Sequence, residues 1–109
     1  MAFKTIYTEE TISFLTSLPD NVKDKVTYNI RKVAGGVIDS ELFKKLENTD
    51  IWEFRTLFNG LAYHMLAFWD TENETLVIVT HGFIKKKQKT PKKEIAKAEQ
   101  IRKLYFQNK

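Results

Sequence analysis

The feature that most limits the possible folds of this 109-residue chain is the dipeptide Asn59-Gly60, which separates two apolar runs with strand-like alternation. A two-residue hairpin turn requires positive φ at both central residues, and Asn followed by Gly meets that requirement best. The dipeptide therefore predicts a β-hairpin with a fixed register. The predicted pairs are Phe58 with Leu61, Thr56 with Tyr63, and Arg55 with His64.

A third strand is predicted after the polar loop of residues 71–74, because residues 75–84 are mostly apolar and rich in β-branched side chains. Pairing Asp70 with Thr75 across that loop brings His64 opposite His81. Alternation then sorts the side chains into two faces. The face expected to pack under helices holds Trp52, Phe54, Tyr63, Met65, Leu76 and Ile78. The other face holds Glu53, Arg55, His64, His81, Phe83 and Lys85, with one arginine and both histidines in a row across three strands.

Helices are predicted before and after these strands, which gives an α+β fold. A short strand over residues 3–7 leads to a helix capped by Thr8, and a second helix ends at Gly35-Gly36. Thr90 is predicted to cap a C-terminal helix in which Pro91 is the first residue. Residues 37–50 carry only a weak pattern, in which Ser40 caps a short turn of helix. We predict an antiparallel-rich, four-stranded sheet with both N-terminal helices on one face, in a single domain of residues 1–109.

The positive charge of the chain is concentrated at its C-terminal end. Residues 1–84 contain 8 Lys and Arg against 12 Asp and Glu, whereas residues 85–109 contain 10 against 2. Such an asymmetry favours a polyanionic partner over a uniformly solvated surface. Most of the excess joins the last strand to the last helix, at Lys85, Lys86, Lys87, Lys89, Lys92 and Lys93.

Composition argues against several other classes of protein. No apolar run is long enough to span a membrane, and the N-terminus lacks the apolar core of a signal peptide. The chain has no cysteine, which removes disulfides and thiolate nucleophiles and fits the reducing cytoplasm. Glycine-rich phosphate loops and serine-elbow motifs are also absent from the sequence. We therefore expect a cytoplasmic protein that does not enter membranes.

The predicted polar row suggests metal-free cleavage of RNA if it is catalytic. Two histidines without a third ligand rarely hold catalytic zinc, so neither a metal nor another cofactor is expected. The 2′-hydroxyl of RNA is itself the nucleophile, and the protein need supply only a base, an acid and cations. His64 and His81 suit the proton transfers, and Arg55 suits bidentate binding of phosphate. Phe83 is either a platform for a stacked base or a patch covered by the C-terminal helix.

The order of short motifs resembles one known family. Trp52-Glu53-Phe54-Arg55 precedes the Asn59-Gly60 turn and Ala62-Tyr63-His64, and these are followed by His81-Gly82-Phe83 and by Lys86-Lys87-Gln88-Lys89-Thr90-Pro91. This order resembles the phage-derived Gp49-like, HigB-type branch of the RelE superfamily of toxins, over about residues 42–98. His64 stands where that family usually has arginine.

The resemblance implies a RelE-like fold and a toxin of a type II toxin–antitoxin pair that cleaves mRNA on the ribosome. It also implies a cognate antitoxin, expected to be of the helix-turn-helix type, with DNA bound only through the antitoxin complex. The alternative is a non-catalytic RNA- or DNA-binding module that uses the same basic face. The candidate catalytic residues are Arg55, His64, His81 and Lys87. The candidate RNA-contacting residues are Phe83, Lys85, Lys86, Lys89 and Lys92.

Overall fold

In the computed structural model, which describes residues 2–72, 76–85 and 89–109, a five-stranded sheet lies between helices on both faces. The elements in chain order are β1 (Lys4–Tyr7), α1 (Glu9–Ser17), α2 (Asp20–Ala34), β2 (Phe43–Lys45), β3 (Trp52–Phe58), β4 (Leu61–Asp70), β5 (Leu76–Lys85) and α3 (Lys92–Gln107). The strand order is β1-β5-β4-β3-β2, with β1 parallel to β5 and the other pairs antiparallel. No helix within the described ranges is both long and apolar enough to cross a membrane.

The sheet has one strand more than the four that the sequence predicts. Residues 43–45 form β2 and pair with β3, in a region where the sequence favours a turn of helix. The ring of Phe43 stacks on Phe54 and on Trp52, at centroid separations of 4.2 and 4.8 Å. These tertiary contacts outweigh a weak local preference, so the prediction of a helical turn was wrong.

The hairpin prediction is confirmed. Both turn residues have positive φ, 51° at Asn59 and 80° at Gly60. β3 and β4 pair in the predicted register, with Arg55 opposite His64. The turn chemistry alone was sufficient to position these two side chains next to each other.

The two N-terminal helices pack on one face of the sheet, as predicted. Thr8 caps α1, because its side-chain oxygen accepts a hydrogen bond from the backbone N–H of Thr11. Gly82 of β5 lies beneath α1, where a Cβ atom would overlap the ring of Phe14 and the sulfur of Met65. Only glycine allows this close approach of helix and strand. The buried residues of α2 recur at helical spacing and include Val22, Val26, Ile30 and Val33.

The register between β4 and β5 differs from the prediction. Asp70 pairs with Leu76 instead of Thr75, which lies outside the described residues. The connecting loop is thus one residue longer than predicted, and a shift of one residue turns every side chain to the other face. Leu76 and Ile78 consequently pack with α3, and their predicted position under α1 and α2 was wrong.

A β-bulge at Thr80 shifts the ladder by a second residue. The two shifts cancel in their effect on side-chain direction, so the residues of β5 after the bulge return to their predicted face. The predicted pairing of His64 with His81 was nevertheless wrong, because His64 lies opposite Phe83.

α3 covers the face of the sheet opposite to α1 and α2. Its buried Ala98 packs in an apolar cluster with Phe68 and Ile78 of the sheet. The helix begins at Lys92 after Pro91, with no side-chain hydrogen bond at its cap. The prediction that Thr90 caps this helix was therefore wrong, and its hydroxyl has a different partner.

Candidate active site

The predicted polar row lies on the face of the sheet that α3 covers, but Phe83 stands opposite His64 where the prediction placed His81. Arg55, His64 and Phe83 are successive Cα partners across β3, β4 and β5. His81 lies on the same face, two residues before Phe83 along β5, and Lys85 ends that strand. Across residues 2–72, 76–85 and 89–109, no three His, Asp or Glu side chains are grouped so as to hold a metal ion.

Glu53 and His64 form a buried pair on this face. Their side chains are 1% and 0% exposed, and Glu53 Oε2 lies 2.9 Å from His64 Nδ1. The ring N–H direction misses the carboxylate oxygen, so the contact has the distance of an ion pair without the alignment of a hydrogen bond. His64 Nε2 has no hydrogen-bond partner in the described part of the chain. Buried polar atoms rarely lack a partner, and among the described side chains Nδ1 of the same ring and Nε1 of Trp69 are the other examples.

The Glu53 carboxylate also accepts a hydrogen bond at Oε2 from the hydroxyl of Thr90. Burial alone would raise the pKa of Glu53, but the contacts of His64 and Thr90 and the charges of His64 and Lys44 outweigh it. The pKa of Glu53 is therefore held below its usual value, and the carboxylate is ionised at neutral pH. One buried anion thus joins β3, β4 and the segment before α3.

His81 is held between its neighbour on β5 and the first turn of α3. Its Nδ1 lies 2.9 Å from Thr80 Oγ1, and its Nε2 lies 3.2 Å from Glu94 Oε1. Burial and the charge of Lys97 lower the pKa of His81, and together they outweigh Glu94 and Glu10. The neutral ring is thus favoured, with Nε2–H donating to Glu94, while the Thr80 hydroxyl has a single hydrogen for two acceptors, Nδ1 and the Leu66 carbonyl at 3.2 Å.

Arg55 is paired with a carboxylate that faces solvent. Its Nη2 donates to Glu41 Oε2 at 2.8 Å, and the two side chains are 12% and 77% exposed. Arg55 is thus largely buried, while its carboxylate partner is free to leave toward solvent. A guanidinium can form two parallel hydrogen bonds with a carboxylate or a phosphate, which is the chemistry that this position offers.

Phe83 is buried and lies in the apolar cluster under α3. Its ring is parallel to the imidazole of His64, with centroids 4.9 Å apart and an interplanar angle of 2°. One ring face is thus occupied by His64. Of the two roles that the sequence left open for Phe83, this position matches the patch covered by the C-terminal helix.

The predicted lysines differ in exposure. Lys89 and Lys92 are exposed, and Lys85 is half-buried at the end of β5. Lys86 and Lys87 lie outside the described residues. We call residues 85–93 the basic segment. Its accessible cations, among the residues described, lie at its two ends.

Sequence reasoning missed three contributors to the site. Thr90 and Glu94 carry signals of a helix start, and nothing in the sequence indicates that they reach across to β3 and β5. Glu41 lies in a region of weak pattern. Glu53 offered a usable signal, because it shares a predicted face with Arg55 and is the one carboxylate in the Trp52–Arg55 motif.

The family model described as phage derived protein Gp49-like (DUF891) matches residues 13–103. Among solved structures, a chain of the intact E. coli RelBE toxin–antitoxin complex aligns over 81% of this chain and 100% of its own, with 16% identity and a TM-score of 0.56. A chain of the RelBE2 toxin–antitoxin complex from Mycobacterium tuberculosis aligns over 78% and 100%, with 18% identity and a TM-score of 0.52. No curated protein matches the sequence significantly. The chain therefore belongs to the phage-derived Gp49-like family, and its fold is that of the RelE superfamily of toxins.

Proposed function

We propose that this protein is the toxin of a type II toxin–antitoxin pair and that it cleaves mRNA at the ribosome without a metal ion. The observation that carries the proposal is the pairing of Arg55 with His64 on adjacent strands, beside the basic segment, in a chain of this family and fold. This set offers phosphate binding, proton transfer and charge neutralisation. Cleavage by the RNA's own 2′-hydroxyl requires those three contributions.

In the proposed mechanism, Arg55 releases Glu41 and clamps the scissile phosphate. His64 and His81 carry out the proton transfers with the RNA. One takes the proton of the 2′-hydroxyl, and the other protonates the leaving 5′-oxygen. Lys87 adds positive charge at the reacting phosphate, and Phe83 supports His64 through ring stacking. The RNA backbone is held by Lys85, Lys86, Lys89 and Lys92.

The burial of both histidines sets a condition on this mechanism. His64 and His81 are 0% and 2% exposed, and Glu94 in the first turn of α3 contacts His81. Proton transfer by either histidine therefore requires the first turn of α3 to move when RNA binds, so that Glu94 releases His81 while Thr90, which precedes the helix, keeps its contact with Glu53. Two side-chain contacts hold the start of the helix in place, Thr90 with Glu53 and Glu94 with His81.

The same burial favours a second candidate function, a non-catalytic RNA- or DNA-binding module. His64 also occupies the position at which the resembled family usually has arginine. In such a module the exposed lysines carry the binding, and both histidines are structural. Its affinity would fall steeply with salt, and no cleaved product would form.

The proposed partner is a cognate antitoxin of the helix-turn-helix type. The two similar folds come from toxin–antitoxin complexes, which supports an antitoxin as partner. An acidic antitoxin surface would neutralise the basic segment, and DNA would be reached only through the complex. The toxin would act in the cytoplasm, on translating ribosomes.

Induced expression in a bacterial host tests the proposal. We expect growth inhibition, and primer extension on an abundant mRNA should show new 5′ ends inside the coding region. Arg55→Ala should abolish both effects. Arg102→Ala is the matched control, because Arg102 is also paired with an exposed carboxylate, that of Asp50, but lies on α3 away from Arg55. Normal growth with intact mRNA under the wild-type protein would favour the binding module.

A further inference from the structure

Glu53 is a buried group on the α3 face that contacts two separate parts of the chain. Its side chain is 1% exposed, and it belongs to β3. Oε2 lies 2.9 Å from His64 Nδ1 of β4 and accepts the hydroxyl of Thr90, directly before Pro91 and α3. The residue before Thr90 is Lys89, the last lysine before the helix in the basic segment.

A buried carboxylate in such a place is not explained by stability. Replacing a buried ion pair by apolar side chains of similar volume is often neutral or stabilising. The surrounding face already supplies apolar neighbours, among them Leu66, Phe68 and Phe83. The retained charge therefore points to a role in arranging its two partners.

We propose that Glu53 is a positioning residue, which orients the imidazole of His64 and, through Thr90, fixes the end of the basic segment beside it. This inference rests on the proposed function. It adds to that function a residue that does not itself touch RNA. Arg55 lies two residues further along the same strand, opposite His64. In this proposal it acts together with a correctly oriented His64 ring and with Lys89 held in place.

The chemistry of the pair determines which ring nitrogen carries the proton. An ionised carboxylate only accepts hydrogen bonds, so the ring nitrogen 2.9 Å from it, Nδ1 of His64, is the one that carries a hydrogen, although its N–H is not aligned with Oε2. In the neutral form of that tautomer Nε2 is unprotonated, and neither ring nitrogen has a hydrogen-bond partner among the residues described. Glu53 thereby leaves Nε2 as the nitrogen available to take a proton from RNA, an arrangement known from carboxylate–histidine pairs in other enzymes.

Four substitutions separate the contributions of charge, acceptor and hydroxyl. Glu53→Gln keeps an acceptor oxygen but loses the charge, and Glu53→Met loses both. Thr90→Val removes the hydroxyl at nearly constant volume, and Thr90→Ser restores it. Thr56→Val is the matched control. Thr56 is a buried threonine like Thr90 and lies on the same strand as Glu53, but it accepts a hydrogen bond from Asn29 on the opposite face of the sheet.

The first readout is the cleavage rate of ribosome-bound mRNA at saturating protein, measured per folded molecule, together with affinity for the ribosome. Glu53→Met should lower the rate by about 100-fold or more, since it disables the proton transfer. Thr90→Val should lower it by about tenfold, the effect of losing one hydrogen bond to a charged group, and Thr90→Ser should recover most of it. Affinity should change little in each variant, and Thr56→Val should keep the wild-type rate.

The second readout is the ¹⁵N NMR spectrum of the His64 ring. Wherever the ring is in its neutral form, the wild-type protein should show hydrogen on Nδ1 and none on Nε2, and Glu53→Met should move population to the other tautomer. Identical ring spectra in the two proteins would overturn the inference, whether or not the wild-type protein cleaves RNA. Wild-type cleavage that persists unchanged in Glu53→Met and Thr90→Val would also overturn it, and would leave the proposed function intact. Absence of cleavage by the wild-type protein would instead refute the proposed function, and the spectra alone would then decide the positioning role.

Discussion

The two faces of the sheet are packed by different means. Against α1 and α2, the contacts are mainly apolar and include a cluster of stacked and tilted rings, formed by Phe3, Phe43, Trp52, Phe54 and Trp69. Against α3, an ionised carboxylate and two histidines are buried among apolar side chains. Burial of apolar area explains most of the first face, where the buried polar side chains Thr11, Asn29 and Thr56 are neutral and hydrogen-bonded. The second face contains groups whose burial opposes folding, so its composition indicates a function.

The attachment of the helices differs in the same way. α3 is tied to the sheet by polar contacts at both ends, with Glu94 on His81 at the start and the Tyr105 hydroxyl donating to Asp70 at 2.7 Å near the end. Lys109 Nζ adds an ion pair to Asp70 at 2.7 Å. The hydrogen bonds from α1 and its cap to β5 are neutral, from Thr8 and Thr11 to backbone carbonyls, whereas the contacts of α3 include charged groups that water or a ligand can solvate. The α3 face is thus the one that can open.

The largest expected effect tests whether the buried pair opposes folding. His64→Leu alone leaves the Glu53 carboxylate buried without the ring that contacts it and should lower the free energy of unfolding by about 3–5 kcal/mol. The triple variant Glu53→Met, His64→Leu, Thr90→Val removes all three polar groups and should be as stable as the wild-type protein or up to about 4 kcal/mol more stable. Urea denaturation followed by the fluorescence of Trp52 and Trp69 measures both. A triple variant less stable than His64→Leu would contradict the comparison of the two faces.

The next effect concerns the apolar face. Gly82→Ala inserts a methyl group against Phe14 and Met65, and overpacking of this kind typically costs about 1–3 kcal/mol. The same denaturation measurement applies, with Phe14→Ala in the Gly82→Ala background as the control. Removing the Phe14 ring should relieve part of the overlap, so the two costs should not add. Simple additivity would mean that α1 does not pack against Gly82 as described.

The sequence was sufficient for elements whose geometry is decided locally. Positive φ at Asn59 and Gly60 set the β3–β4 register, and helical spacing identified α2. It failed where distant contacts decide. The β4–β5 register depends on a longer loop and a bulge at Thr80, which no local pattern reveals.

The candidate site shows the same limit. The neighbourhood of Arg55 and His64 followed from the hairpin turn, whereas the burial of His64 and His81 depends on where α3 docks. Thr90 illustrates the reason: its sequence position suits a helix cap, but a buried carboxylate 37 residues away is the better acceptor for its hydroxyl. Competition between a local and a distant partner cannot be resolved from one sequence.

The smallest effect is a dependence of stability on pH. The pKa of His81 is lowered in the folded protein, so the unfolded chain binds the proton first as the pH falls below histidine's usual value of about 6.5. The contribution of this histidine to the free energy of unfolding should therefore be fully present above that pH. Below it, the free energy of unfolding should decline by at most about 1.4 kcal/mol per pH unit for one proton. Glu53, whose pKa is also lowered, should add a further decline below about pH 4.3.

Urea denaturation at several pH values should show a shallower decline between pH 6.5 and 5 in His81→Gln than in the wild-type protein. Equal slopes in the two proteins would mean that His81 is not the group responsible. The α1 and α2 face carries no buried histidine within the described residues, so substitutions there should leave the slope unchanged.

The most direct test of the central claim is the chemical nature of the ends that the purified protein leaves on ribosome-bound mRNA. Attack by the 2′-hydroxyl, assisted by Arg55 and the histidines, predicts a 2′,3′-cyclic phosphate on the upstream fragment and a 5′-hydroxyl on the downstream fragment. Mass spectrometry of the fragments distinguishes these ends, and Arg55→Ala should produce neither fragment. A 3′-hydroxyl with a 5′-phosphate, or intact mRNA with the wild-type protein, would contradict the account.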